Sequence, residues 1–123
     1  MDRTFVVAGA LSALVAVGLG AFGAHGLRGR LAPDMLNVFE IGVRYQIYHA
    51  LALLVCGWAA TRWPGGPVAS AGWLFVAGTI VFSGSLYALA LTGHRWLGAI
   101  TPLGGVAFLI GWLALAWAAW SGR

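Results

Sequence analysis

The chain predicts an all-α integral membrane protein. We expect a single domain over residues 1–123, built as four transmembrane helices in an up-down-up-down bundle, with a long second helix whose start is amphipathic. Three observations predict it. Of 123 residues, 61% are hydrophobic and only 8% charged, with a mean hydropathy of +0.89. A soluble domain carries about 45–50% apolar and about 25% charged residues, so this chain cannot cover a globule with polar surface and is far too apolar to stay disordered. Second, apolar runs cover residues 4–27, 34–61, 68–92 and 102–120, each near the ~20 residues that cross a bilayer core. Third, the runs are apolar all round. Backbone groups in lipid must be satisfied internally, and barrel strands would alternate in polarity, so these are helices.

The first run follows Arg3 and has small residues near Ala21, Gly23 and Ala24, as a signal peptide would. Its apolar stretch is too long for one, which favours a first helix. Gly9/Ala13, Ala16/Gly20 and Gly20/Ala24 each stand four apart. Such pairs stack on a face and let another helix approach closely. Gly26, Gly29 and Pro33 separate the first two helices, and Pro33-Asp34 marks a helix start. Pro64-Gly65-Gly66-Pro67 is a tight turn before the third helix, and Gly93 ends it. Thr101-Pro102 predicts a Thr cap with Pro at the first position of the fourth helix. Trp63, Trp117 and Trp120 suit an interfacial belt. Cys56, the single cysteine, lies in an apolar run and reads as a small core residue.

Helix two is the unusual element. Its wholly apolar part, residues 50–60, is too short to span, and counting back ~20 residues from Thr61 reaches Gly42. Leu36, Phe39, Val43 and Ile47 form one stripe, while Tyr45, Gln46 and His49, and Glu40, Arg44 and Tyr48, lie on other sides. Glu40 and Arg44 have the favourable i,i+4 order for an ion pair and are expected at the headgroup interface. Gln46 and His49 are expected to be buried.

In the predicted bundle, the end of helix one, the start of two, the end of three and the start of four share one leaflet. Those stretches carry His25; Tyr45, Gln46 and His49; Ser83, Ser85 and Tyr87; and Thr101. Thr79, Ser83 and Tyr87 share one stripe at i, i+4 and i+8. The bland alternatives are a Ser or Thr hydroxyl bonded to its own i−4 carbonyl and a close-packed glycine hub. The opposite half is Ala, Leu, Val and Trp.

The motifs Gly20-Ala-Phe-Gly-Ala-His25-Gly26, Tyr45-Gln-Ile-Tyr-His49-Ala50, Phe82-Ser-Gly-Ser-Leu-Tyr87 and Ile100-Thr-Pro-Leu-Gly-Gly105 run in order through all four helices. Together they resemble the domain-of-unknown-function 423 family of YgdD-like small membrane proteins. The resemblance implies a four-helix, multi-pass protein of the bacterial inner membrane. It brings no activity.

The formal charge is +4 and every basic residue is Arg. They stand singly or in pairs at the ends of apolar runs, which is membrane-flanking charge and not a stripe that tracks phosphates, so no nucleic-acid partner is expected. Arg3, Arg62 and Arg123 on one side nearly balance Arg28, Arg30 and Arg95 on the other, with Arg44 added if it is interfacial. Charge alone therefore leaves the orientation close to a tie. His25, His49 and His94 show no metal-binding spacing, so no metal or other cofactor is expected. Ser83 and Ser85 lack the signature of an activated nucleophile, and no catalytic residue is expected. Two functional readings remain. One is transport or small-molecule binding through His25, Tyr45, Gln46, His49, Ser83, Ser85, Tyr87 and Thr101. The other is an accessory or assembly subunit of a larger membrane complex. The expected partners are the bilayer and a second copy or another membrane protein.

Overall fold

The computed structural model describes residues 2–122. Arg123, counted above among the flanking charges, lies outside them. The elements are α1 (Asp2–Phe22), a five-residue π-helical turn (Gly23–Leu27), α2 (Pro33–Arg62), α3 (Gly66–Thr92), a 3₁₀ turn (Arg95–Ala99) and α4 (Thr101–Ser121). Four spans, Asp2–Leu27, Pro33–Arg62, Gly66–Thr92 and Arg95–Ser121, are long and apolar enough to cross a membrane.

The punctuation residues act largely as expected. Pro33 opens α2, where its missing N–H is harmless. Gly93 adopts φ 75° and closes α3, its N–H donating to the Leu89 carbonyl at 2.8 Å. Two local features depart from expectation. Regular α-helix stops at Phe22, and the span continues to Leu27 as a π turn. Thr101 does not cap α4: it is the first helical residue, and a 3₁₀ turn leads into it. Its hydroxyl bridges to α3 instead.

The helices form a layered zigzag. α1 packs on α2, α2 on α3 and α3 on α4, whereas α1 and α4 share no substantial interface. α2 and α3 are therefore the central pair. Contacts descend one helix as they climb its neighbour. Gly9 faces Ala50 and Leu53, and Gly23 faces Phe39; Gly78 faces Phe108, and Gly111 faces Phe75.

Lipid tails are as apolar as leucine, so association in a membrane relies on close packing and hydrogen bonds. The close packing is made by aromatic rings seated over glycines. Phe5 of α1 lies on Gly72 of α3, Phe108 of α4 on Gly78, and Tyr87 of α3 on Gly42. A methyl group at Gly42 would stand 2.7 Å from the Tyr87 ring, and one at Gly9 2.7 Å from the Ala50 carbonyl oxygen. Tyr87 packs on a second cluster of Leu27, Phe39 and Ala90, while Phe5 and Phe108 join a core with Leu53, Cys56, Val68, Ala71 and Phe75, all nearly inaccessible. Cys56 is buried there, as read from sequence.

Candidate functional site

The polar side chains of the central pair are positioned by the same close approach. Gln46 of α2 is 6% exposed and touches helices on both sides. Its amide nitrogen donates to the Ser12 carbonyl of α1 at 3.0 Å and lies 3.4 Å from the Ser12 hydroxyl. Its carbonyl oxygen accepts from the Tyr87 hydroxyl of α3 at 2.6 Å. One side chain thus ties three helices. One turn nearer the start of α2, Ser83 donates to the Gly42 carbonyl at 2.7 Å, reaching the backbone because Gly42 has no side chain to shield it. This bond crosses between helices, so Ser83 does not bond its own i−4 carbonyl.

His49 lies on another side of α2, 4% exposed and facing α3 and α4. The Trp112 indole N–H of α4 donates to His49 Nε2 at 3.1 Å. Indole is only a donor, so Nε2 is the unprotonated nitrogen. Nδ1–H then donates to the Tyr45 carbonyl at 2.7 Å. The neutral imidazole satisfies both neighbours, and it stacks on Phe108 with centroids 3.5 Å apart and planes 6° from parallel. Phe75 and Trp112 complete an aromatic surround.

A third group joins α3 to α4. The Ser85 and Thr101 hydroxyls are 2.5 Å apart, and Ser85 also donates to the Phe82 carbonyl at 2.9 Å.

The expected cluster is therefore divided. Gln46, Ser83 and Tyr87 come together between α2 and α3, and Ser85 and Thr101 form a separate bridge. Tyr45 and His49 turn toward a different side. The Tyr45 side chain is 39% exposed, its ring packing on Phe82 at 4.7 Å. His25 is outside the cluster altogether. Gly23 and Leu27 are the buried residues of the π turn, and His25, two residues from each, falls on the exposed side.

Two cavities flank the central pair. One, of about 430 Å³, lies between α1 and α3 and is lined by Ser12, Gln46, Thr79, Ile80, Gly84 and Tyr87, with Leu11 and Val15. Thr79 Oγ1 is the one buried side-chain polar atom without a hydrogen-bond partner among the described residues. The other cavity, of about 400 Å³, lies between α2 and α4 beside Tyr45, His49, Phe82, Phe108 and Trp112, and is almost wholly apolar. Among the described residues, no three His, Cys, Asp or Glu side chains converge as a metal site would need.

Sequence reasoning missed two partners, Ser12 and Trp112. Ser12 is one of many small residues on α1, and Trp112 is one of three tryptophans on α4. The available signal was chemical. A buried Gln or His needs partners, and Trp112 is the indole of α4 that lies well inside the span.

The model of a family described as "Protein of unknown function (DUF423)" matches residues 19–105. The membrane protein YwdK of Bacillus subtilis is 53% identical over 118 residues, covering 95% of this chain and 96% of that protein. A membrane protein of Staphylococcus epidermidis, SERP0230, is 53% identical over 119 residues, covering 92% of each. Both carry the designation UPF0382. No solved structure matches. The matched region contains Gln46, His49, Ser83 and Tyr87, whereas Ser12 and Trp112 lie just outside it. With four spanning helices and relatives of this identity, the chain is a multi-pass membrane protein that belongs to the DUF423 family.

Proposed function

We propose that the protein binds a small lipid-soluble molecule in the cavity between α1 and α3. The observation that carries this reading is the wall of that cavity. Ser12, Gln46 and Tyr87 hold one another in place there, beside the unpaired Thr79 hydroxyl. Ligand sites are mostly apolar with a few fixed polar groups, and they favour clefts between bundled helices. Binding suits this wall better than passage. The polar groups are engaged with each other across helix interfaces, as a rigid recognition surface requires, and a conducting path would need them turned toward water.

The test uses Gly84, which lines the cavity and where an added Cβ meets nothing within 4 Å. Gly84→Leu places a bulky side chain in that space, and unchanged thermal unfolding confirms an intact fold. Organic extracts of wild-type protein purified from its membrane, read by mass spectrometry, should contain a compound that Gly84→Leu protein lacks. Identical extracts would overturn the reading.

A second reading, an accessory or assembly subunit, is favoured by the layout. The outer helices α1 and α4 do not close on each other, and each leaves most of its surface uncovered. A second copy or another membrane protein would lie against that surface. Purification in mild detergent should then recover a defined complex; a lone monomer would count against it.

A further inference from the structure

A third cleft lies at the membrane surface rather than within the span. It has a volume of about 240 Å³, sits between the end of α1 and the start of α2, and is lined by Gly20, Gly23, Phe39, Glu40, Val43 and Arg44. Its depth follows from the length of α2. Thirty residues at ~1.5 Å each make a helix of roughly 45 Å, longer than the ~30 Å hydrocarbon core. Arg62 and Trp63 mark the far surface, and Glu40 lies roughly 33 Å from Arg62 along the axis. Glu40 and Arg44 therefore flank the hydrocarbon boundary, at headgroup level.

The chemistry of the cleft is selective. It offers one carboxylate and one guanidinium a helical turn apart. Gly20 and Gly23 keep its α1 side low: a methyl at Gly20 would meet Val43 at 3.4 Å, and one at Gly23 would meet the Phe39 ring at 3.0 Å. Glu40 is half-buried and Arg44 exposed. We propose that this cleft binds the zwitterionic headgroup of a phospholipid with a primary ammonium, that is, a phosphatidylethanolamine. Arg44 takes the phosphate, for which a guanidinium fork is suited. Glu40 accepts from the ammonium, one ethylene spacer away. The N–H donors of that ammonium fit a carboxylate, whereas a trimethylated choline has none to offer. An anionic headgroup without an amine leaves Glu40 unmatched and repelling.

The full-length protein is reconstituted into nanodiscs of equal phosphatidylethanolamine and phosphatidylcholine, and lipids retained after mild delipidation are counted by mass spectrometry. Phosphatidylethanolamine should be enriched about threefold over the bulk ratio, the scale of an exposed charge pair. Glu40→Gln should return the ratio to bulk, and Arg44→Gln should lower retention of both lipids. Unchanged thermal unfolding confirms an intact fold in both variants. Enrichment that survives Glu40→Gln, retention at the bulk ratio by the wild type, or stronger retention of phosphatidylglycerol in a parallel mixture would each overturn the proposal.

Discussion

The two halves of this molecule are held together differently. Toward the chain termini, α1, α2, α3 and α4 meet through Phe5, Leu53, Cys56, Ala59, Val68, Ala71, Phe75 and Ala118, with rings seated on glycines. Toward the π turn, Gln46, Ser83, Tyr87, Ser85 and Thr101 bridge helices by hydrogen bonds. In lipid neither half gains from a hydrophobic drive between helices. The first half gains by shape, because dispersion adds up only where surfaces interlock. The second gains by pairing groups that would otherwise be unsatisfied in an apolar medium. The core of the shape-packed half is wholly apolar, and Asp2, Arg3 and Thr61 line only a groove at the outer end of α1 and α2. The paired half fixes buried polar groups along open clefts, and the proposed sites lie there.

This contrast can be broken by mutation. The largest effect is expected in the dry half: Phe5→Ala empties the socket over Gly72 and should destabilise the fold by about 3 kcal/mol in a denaturation series in bicelles. A smaller loss would mean that the ring packing contributes less than its burial implies. Gln46→Leu should cost about 1.5 kcal/mol, near the upper end for hydrogen bonds between membrane helices, because it strands both Tyr87 and Ser12. Trp112→Phe removes one donor to His49 while keeping an aromatic ring, and should cost about 0.6 kcal/mol. The smallest change has the opposite sign. Thr79→Val replaces an unpartnered buried hydroxyl with a methyl, and should leave stability unchanged or raise it by up to about 1 kcal/mol. A loss there would mean that Thr79 has a partner in the membrane.

Much of the fold was legible because its signals are local. Apolar run length located the four spans, and Pro33 and Gly93 placed two of their ends. The burial of Gln46 and His49 was legible too, since both fall within the stretch α2 needs to cross. What one polar side chain touches across an interface was not. The stripe of Thr79, Ser83 and Tyr87 reveals the inward face of α3, but α1 and α4 are apolar on nearly every side, so periodicity does not reveal which of their faces turns inward. That is why Ser12 and Trp112 passed unnoticed. It is also why Tyr45 and His49 were grouped with Gln46, although they face another cavity. His25 was misplaced for a related reason. The inward residues of the turn that continues α1 are Gly23 and Leu27, which leaves His25, two residues from each, on the outer side. Thr101 carried a genuine cap pattern, and its short bridge to Ser85 is a tertiary contact that no local rule contains.

The central claim is that the polar residues of α2 and α3 act on each other across the helix interface. A double-mutant cycle between Gln46→Leu and Tyr87→Phe, measured by reversible unfolding in bicelles, tests it most directly. A coupling of about 0.5–1.7 kcal/mol is predicted. Additive effects, with coupling indistinguishable from zero, would contradict it.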